Sequence, residues 1–361
     1  MSHYEARLER DLAQIRSQLS LLAERIDTAI AQSTTAMLRG DDELASRTII
    51  EDNPINRITR DLDRLCHSFI VRHLPSAGVL RFISSVLRLT VAFERIGDYA
   101  CSISREALLL SRQPPKTVAK DIELMLDQSR DNLRQATAAF IAGDDGLART
   151  ALQAAYDSRK TFGKLYADLL KVGAKQSRPP QDLFAFLITF YRLERITDQA
   201  RNICEETFFT VQGVAKRPRS HRILFVDEHD SCLAPLAAAL ARKAYPDAGV
   251  FESAGWAPAD AIDPAAQAYM AAHGLADVAH SPTPLPLEHD ALLAYDIIIA
   301  VTGELRERLS ELPFRTVLLH WNLDPPAPDG GDERERLATA HRALSQRLQE
   351  LMELLMGEEA G

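Results

Sequence analysis

Two pairs of carboxylates recur in this chain with the spacing of a metal site. Glu94 and Asp98 are four residues apart, and Glu194 and Asp198 repeat the pair one hundred residues later. In a helix, side chains four residues apart lie on the same face. Two carboxylates on one face repel each other unless a metal ion or a basic side chain lies between them. Helical bundles build metal sites from such carboxylates on facing helices.

A solvated helix face is the alternative, with Arg95 and Arg195 forming local ion pairs. For an isolated Glu-x-x-x-Asp that alternative would be favoured, because the spacing is common by chance. Here the whole motif Glu-Arg-Ile-x-Asp occurs at equivalent places in two halves of the sequence. The repetition favours the metal site.

Residues 1 to about 212 have the periodicity of helices, and their breaks fall twice in the same order. Gly40-Asp41-Asp42 and Gly143-Asp144-Asp145 each end a first helix, and Pro75 and Pro180 each precede a third. This order indicates an internal repeat. Short connections predict that each repeat is an antiparallel three-helix bundle.

The chain changes character beyond a short basic linker. Apolar runs such as Ile223-Leu224-Phe225-Val226 and 295–301 alternate with helical stretches, which predicts a parallel sheet buried on both faces. The fold class is therefore multidomain, α plus α/β: two tandem three-helix bundles and a three-layer α/β domain with a four-stranded parallel sheet. The predicted boundaries are 1–112 and 113–212 for the repeats, 213–221 for the linker and 222–358 for the α/β domain.

Bulk properties exclude several classes of function. A net charge of −9 and a pI near 5.6 argue against nucleic acid as a partner. No run is long and apolar enough for a membrane span, and the start is not a secretory signal, so we expect a cytoplasmic protein. The four cysteines lack Cys-x-x-Cys spacing, which suggests neither a zinc site nor a disulfide framework.

The helical half resembles the PhoU family of phosphate-signalling regulators. The resemblance rests on residues 93–98 and 193–203 and extends through 49–56 and 180–183. PhoU proteins bind metal clusters, often dimerise, and restrain phosphate uptake and the phosphate-starvation response. The resemblance implies a homodimer whose partners are the phosphate transporter complex and its sensor kinase. Oxygen ligands suit iron, manganese or magnesium and do not identify the metal.

The family places a second acidic pair on the middle helix of each repeat. At that place this sequence has Asp52 with Asn56, and Asp157 with Thr161. Asparagine coordinates through its carbonyl oxygen, whereas threonine is a poor replacement for a carboxylate, so the second cluster is expected to be weak or absent. The expected metal ligands are Glu94, Asp98, Glu194, Asp198, Asp52, Asn56 and Asp157.

The α/β domain resembles the low-molecular-weight tyrosine phosphatase and arsenate reductase family, through 223–226, 253–255 and 320–325. That family attacks phosphorus with a Cys thiolate after the first strand and holds the phosphoryl oxygens with loop N–H groups and an Arg. The Cys position is Asp227 here, and the Arg position is Leu233.

Acidic residues in the same loop argue further against an anion site. Asp227, Glu228 and Asp230 would repel a phosphate dianion, and each like-charge contact at 4 Å costs about 1 kcal/mol in water and about 4 at a surface-like dielectric. We therefore expect a pseudophosphatase that is not an enzyme. The alternatives are Cys232 or Asp227 as an unusual nucleophile, and a metal site over 227–230. Asp324, in the family's general-acid segment, is expected to keep a turn or capping role.

Three functions follow, in order of preference. The first is a regulator of phosphate uptake and phosphate-starvation signalling that acts through protein contacts and a carboxylate metal site, with the inactive tail as a second interaction surface. The second is a metal-free helical scaffold. The third is an active phosphatase or arsenate reductase of unusual mechanism.

Overall fold

A computed structural model describes most of the chain. The described residues are 3–175, 178–213, 221–275, 281–309, 312–313, 316–323 and 333–356. The chain divides into two compact units, Met1–Lys216 and Arg217–Gly361. Residues 214–220 of the predicted linker lie outside the described ranges. Among the described residues, no helix is long and apolar enough to cross a membrane.

The first unit consists of long helices, as the periodicity predicts. In the described part of this unit they are α1 (His3–Arg39), α2 (Asp42–His73), α3 (Ala77–Leu109), α4 (Lys116–Ala142), α5 (Asp145–Lys175) and α6 (Pro180–Gln212). The acidic motifs lie in the middle of α3 and α6, the third helix of each repeat. The predicted helical architecture is confirmed.

The repeated Gly-Asp-Asp segments make equivalent turns in the two repeats. Gly143 has a φ of 66°, in the left-handed region that ends helices at little steric cost. Asp41 and Asp144 each accept a hydrogen bond from a backbone N–H three residues on, at 2.9 Å. Each turn thus stops one helix and caps the next.

The two repeats pack into a single hydrophobic core. Between α3 and α6, Arg88 donates to both carboxylate oxygens of Glu206, at 2.7 and 2.6 Å. Between α1 and α4, Asp27 accepts from Arg130 at 2.9 and 2.8 Å and from Arg134 at 2.8 Å. The helices that carry the acidic motifs are therefore fixed against each other.

The second unit is a parallel sheet covered on both faces. Its described elements are β1 (His221–Asp227), α7 (Leu233–Ala244), β2 (Gly249–Gly255), α8 (Pro264–Ala272), α9 (His289–Leu292), β3 (Ile297–Ala300), β4 (Val317–His320) and α10 (Glu333–Met356). The strand order is β2-β1-β3-β4, with every pair parallel. Separate apolar clusters cover the two faces, so the predicted three-layer domain is confirmed.

Candidate functional site

The first acidic site lies where α2 packs against α3. Asn56 donates to Asp52 Oδ2 at 2.7 Å, and Asp52 Oδ1 is buried against the α3 backbone at Gly97. A Cβ on Gly97 would lie 3.0 Å from that oxygen, so the glycine permits the close approach. Burial and, to a smaller degree, the charge of Asp98 raise the pKa of the Asp52 carboxyl, against the hydrogen bond from Asn56 and the charge of Arg105.

Glu94 and Asp98 are both exposed on α3. Glu94 lines an open groove of about 690 Å³ between α2 and α3, together with arginines and acids of α2. No three His, Cys, Asp or Glu side chains of the described residues stand close enough to hold one ion as they are placed. A cation here would take its remaining ligands from water, as magnesium and manganese readily do.

In the first repeat, one buried carboxylate oxygen is left without a strong hydrogen-bond donor. Asp52 Oδ1 accepts no N–H or O–H hydrogen bond from the described residues, and its neighbour is the thiol of Cys101, a weak donor. Its carboxylate stands near that of Asp98, so negative charge is concentrated on one side of the helix pair. Of the predicted ligands, Asp52 and Asn56 are in contact and Asp98 lies near Asp52, while Glu94 is one turn away on α3.

The second acidic site, on α6, contains its own cations. Asp198 Oδ1 lies 3.3 Å from Arg201, and Asp198 Oδ2 lies 3.4 Å from Arg195. Arg201 is 9% exposed, and its guanidinium lies 4.4 Å from the ring centre of Tyr156 on α5. Glu194, one turn before Asp198, is 4% exposed. The basic side chain that the spacing required is present in this repeat.

Asp157 stands apart from that site in its contacts. It is exposed on α5, where it accepts a long hydrogen bond from Gln153 Nε2 at 3.5 Å. The side chain of Thr161, predicted to be a poor ligand, lies outside the described residues. Arg201 was not among the predicted site residues, although an alignment of the two motifs would have shown it opposite Cys101.

The phosphatase-like loop is filled by a side chain of its own. Asp227 ends β1 and is 6% exposed. Its Oδ1 accepts backbone N–H groups of His229 at 3.1 Å and Asp230 at 2.6 Å, and its Oδ2 accepts that of Ala234 at 2.8 Å. Burial raises the pKa of the Asp227 carboxyl against these three hydrogen bonds. Loop N–H groups that would face an anion therefore face this carboxylate.

Neighbouring contacts hold the loop in this arrangement. Asp230 is fully buried and accepts from the backbone and hydroxyl of Thr283 with Oδ2, at 2.8 and 3.2 Å. A Cβ on Gly255 would lie 2.7 Å from the Asp230 nitrogen, so the strand β2 end and the loop are in close contact. Leu233, at the Arg position, is 2% exposed and belongs to the hydrophobic core.

The remaining predicted residues of this loop are Cys232, Glu228 and His229. Cys232 is half-buried at the start of α7, and Glu228 and His229 are exposed. Asp324 lies outside the described residues. Asp227 and Asp230 each bind backbone groups with their carboxylates, rather than pointing at a shared ion.

Comparison with known proteins gives the same division of the chain. The PhoU domain profile matches residues 19–107 and 122–207, and the low molecular weight phosphotyrosine protein phosphatase profile matches residues 222–358. The chain joins two PhoU domains to a domain of the low molecular weight phosphatase type. Both resemblances noted in the sequence are confirmed.

Individual relatives match the PhoU region. A phosphate-specific transport system accessory protein PhoU homolog of Pseudomonas putida is 29% identical over 221 residues, which is 60% of this chain and 84% of that protein. The Escherichia coli phosphate-specific transport system accessory protein PhoU is 26% identical over 232 residues, 64% of this chain and 94% of that protein. The crystal structure of PhoU from Pseudomonas aeruginosa superposes with a TM-score of 0.54 at 25% identity, over 57% of this chain and 99% of that one.

Removing the Asp227 carboxylate should destabilise the phosphatase-type domain. In Asp227→Ala, three backbone N–H groups lose their acceptor, two of them in buried hydrogen bonds, and we expect a loss of about 2–4 kcal/mol in the free energy of unfolding. Asp227→Asn keeps one acceptor oxygen and should lose less. Both tryptophans, Trp256 and Trp321, lie in this domain, so urea unfolding followed by tryptophan fluorescence measures it selectively.

Glu228→Ala is the matched control, because this neighbouring carboxylate is exposed and its removal should change the free energy of unfolding by no more than about 0.5 kcal/mol. Equal losses in Asp227→Ala and Glu228→Ala would contradict the role assigned to the Asp227 hydrogen bonds.

Proposed function

We propose that this protein regulates phosphate transport in the manner of PhoU, through protein contacts made by its helical unit. The observation that carries the proposal is the duplicated Glu-Arg-Ile-x-Asp motif, placed at the centre of α3 and α6 in a PhoU fold. Relatives that match this region are named as accessory proteins of the phosphate-specific transport system. The phosphate transporter complex is the first partner to test, and a sensor kinase and a second copy of the chain follow from the same resemblance.

The proposal includes a metal site in the first repeat. Asp52, Asn56 and Asp98 would hold the ion, with Glu94 supplying a further carboxylate from the groove. A divalent cation there would neutralise the carboxylates and fix α2 against α3. Oxygen ligands favour magnesium, manganese or iron.

The proposal also makes the C-terminal domain a pseudophosphatase that serves as an interaction surface. It lacks a nucleophilic thiol at the end of β1 and a guanidinium at the start of α7, where Asp227 and Leu233 stand. The N–H groups of the loop are engaged by Asp227. An incoming phosphate would have to displace that carboxylate from a buried position and then approach Glu228.

A metal-free scaffold is the second candidate, and the second repeat favours it. Arg195 and Arg201 already neutralise Asp198 there, as they would in a scaffold held by ion pairs. Metal analysis of the first repeat separates the two candidates. An enzyme of unusual mechanism has less support, because Cys232 has no Arg five or six residues after it.

Deletion of the gene should relieve a restraint on phosphate uptake. We expect cells without the protein to take up radiolabelled phosphate faster in phosphate-rich medium, and the full chain to restore the normal rate. The full chain with a purification tag should retain transporter subunits after crosslinking. Unchanged uptake together with no transporter recovery would refute the regulatory role.

Loss of the first-repeat carboxylates should remove bound metal. The variant Glu94→Gln, Asp98→Asn preserves size and removes two negative charges, so inductively coupled plasma mass spectrometry should find less iron or manganese than in the unaltered protein. Asp61→Asn, Asp63→Asn is the control, since these acids line the same groove outside the motif. Equal metal content in all three proteins would place the metal elsewhere, and none in any of them would support the scaffold.

The C-terminal domain should not hydrolyse phosphate esters. We expect p-nitrophenyl phosphate to be turned over no faster by the unaltered chain than by Cys232→Ser or Asp227→Asn, because no activated nucleophile faces an anion site. Turnover that Cys232→Ser abolishes would show a displaced thiol nucleophile, and turnover that Asp227→Asn abolishes would show aspartyl-phosphate chemistry.

A further inference from the structure

The two acidic motifs differ at the position three residues after the aspartate. Cys101 follows Asp98 in the first repeat, and Arg201 follows Asp198 in the second. Cys101 is a buried free cysteine, and a thiol carries no positive charge. An arginine is always charged. One repeat therefore has a neutral side chain where the other has a permanent cation.

The Arg201 cation is held firmly against the acidic pair. It lies on the same face of α6 as Glu194 and Asp198, at spacings of seven and three residues. Its Nη1 is 3.3 Å from Asp198 Oδ1, and its Nη2 donates to the Tyr156 hydroxyl at 3.3 Å. The Tyr156 ring stacks on the guanidinium at 4.4 Å, a favourable cation–π contact.

The space around the acidic pair also differs between the repeats. The cavity that Glu194 and Asp198 line with Met125, Gln128, Ser158 and Thr197 measures about 10 Å³. That is at the lower limit for one water molecule. In the first repeat, Glu94 opens onto a groove of about 690 Å³. The second motif therefore has no room for a hydrated cation, whereas the Glu94 and Asp98 carboxylates of the first motif are exposed to water.

We propose that Arg201 is the resident cation of the second repeat and that it excludes metal from Glu194 and Asp198. A dication bound there would lie beside a buried guanidinium, where salt screens their repulsion poorly. The metal of the first repeat belongs to the proposed function, on which this proposal rests. The exclusion of metal from the second repeat is measured separately. Metal availability would then act on the first repeat alone, while the second stays charge-balanced without metal.

The test uses the full chain carrying Glu94→Gln and Asp98→Asn, so that the first motif no longer contributes ligands. Arg201→Gln is added to this background, because glutamine is polar and long but uncharged, and Arg201→Lys is the matched control that keeps the charge. Each protein is equilibrated with manganese chloride, desalted and analysed for manganese. Circular dichroism verifies that each variant is folded, and Arg201→Ala replaces Arg201→Gln if the latter is not.

We expect the Glu94→Gln, Asp98→Asn background and its Arg201→Lys variant to retain no manganese after desalting. The Arg201→Gln variant should retain manganese, because its affinity for the ion should be at least ~10-fold higher than that of the background. A further Asp198→Asn substitution should remove the gained manganese. The proposal is overturned if the background itself holds manganese that Asp198→Asn removes, or if the neutral variant gains none. A chain with an intact first motif that holds no metal would instead refute the proposed first-repeat site, and the second-repeat result would still stand.

Discussion

A carboxylate that leaves water must meet a cation or several N–H donors, and this requirement organises the acidic sites in both units. Asp227 meets three backbone N–H groups, and Asp198 lies between two guanidinium groups. Asp52 receives one hydrogen bond from Asn56, which leaves its second oxygen buried beside a thiol. The three carboxylates thus differ in how completely hydrogen bonds and cations compensate for their burial. Asp52 is the least compensated, so an added cation would stabilise it the most.

Because the motif is duplicated, its two copies can differ in how the negative charge of the Glu and Asp is balanced. The motif lies on the third helix of each repeat, α3 and α6, and the turns that begin the second helices, α2 and α5, are capped in the same way. Three residues after the aspartate, the second repeat has the cation Arg201 and the first repeat has the thiol of Cys101. Both repeats pack in one hydrophobic core, so α3 and α6 are held in position by the same cluster of side chains.

Periodicity and turn residues were sufficient to predict the elements, because helix faces and strand runs are local properties of the sequence. The Asp227 and Leu233 replacements were also visible there. The contacts of Asp227 were not, since the sequence argument treated its charge only as repulsion toward phosphate. Nor was the pairing of Arg201 with Tyr156, which joins α6 to α5 over forty-five residues and depends on how the helices pack. Long-range partners of a charge are not encoded in its local spacing.

Asp227, in the position of the phosphatase family's nucleophile, also has a structural role. A carboxylate at the end of β1 reaches the loop N–H groups that an anion would otherwise occupy, so it fixes the loop without a ligand. At the other end of the loop, Leu233 packs in the hydrophobic core, whereas an arginine at this position would place its guanidinium toward solvent. Restoring Cys and Arg at these positions would empty the loop and remove a core side chain at once. The loop is therefore held by side chains of the domain itself, which supports the proposal that this domain serves as a surface for a protein partner.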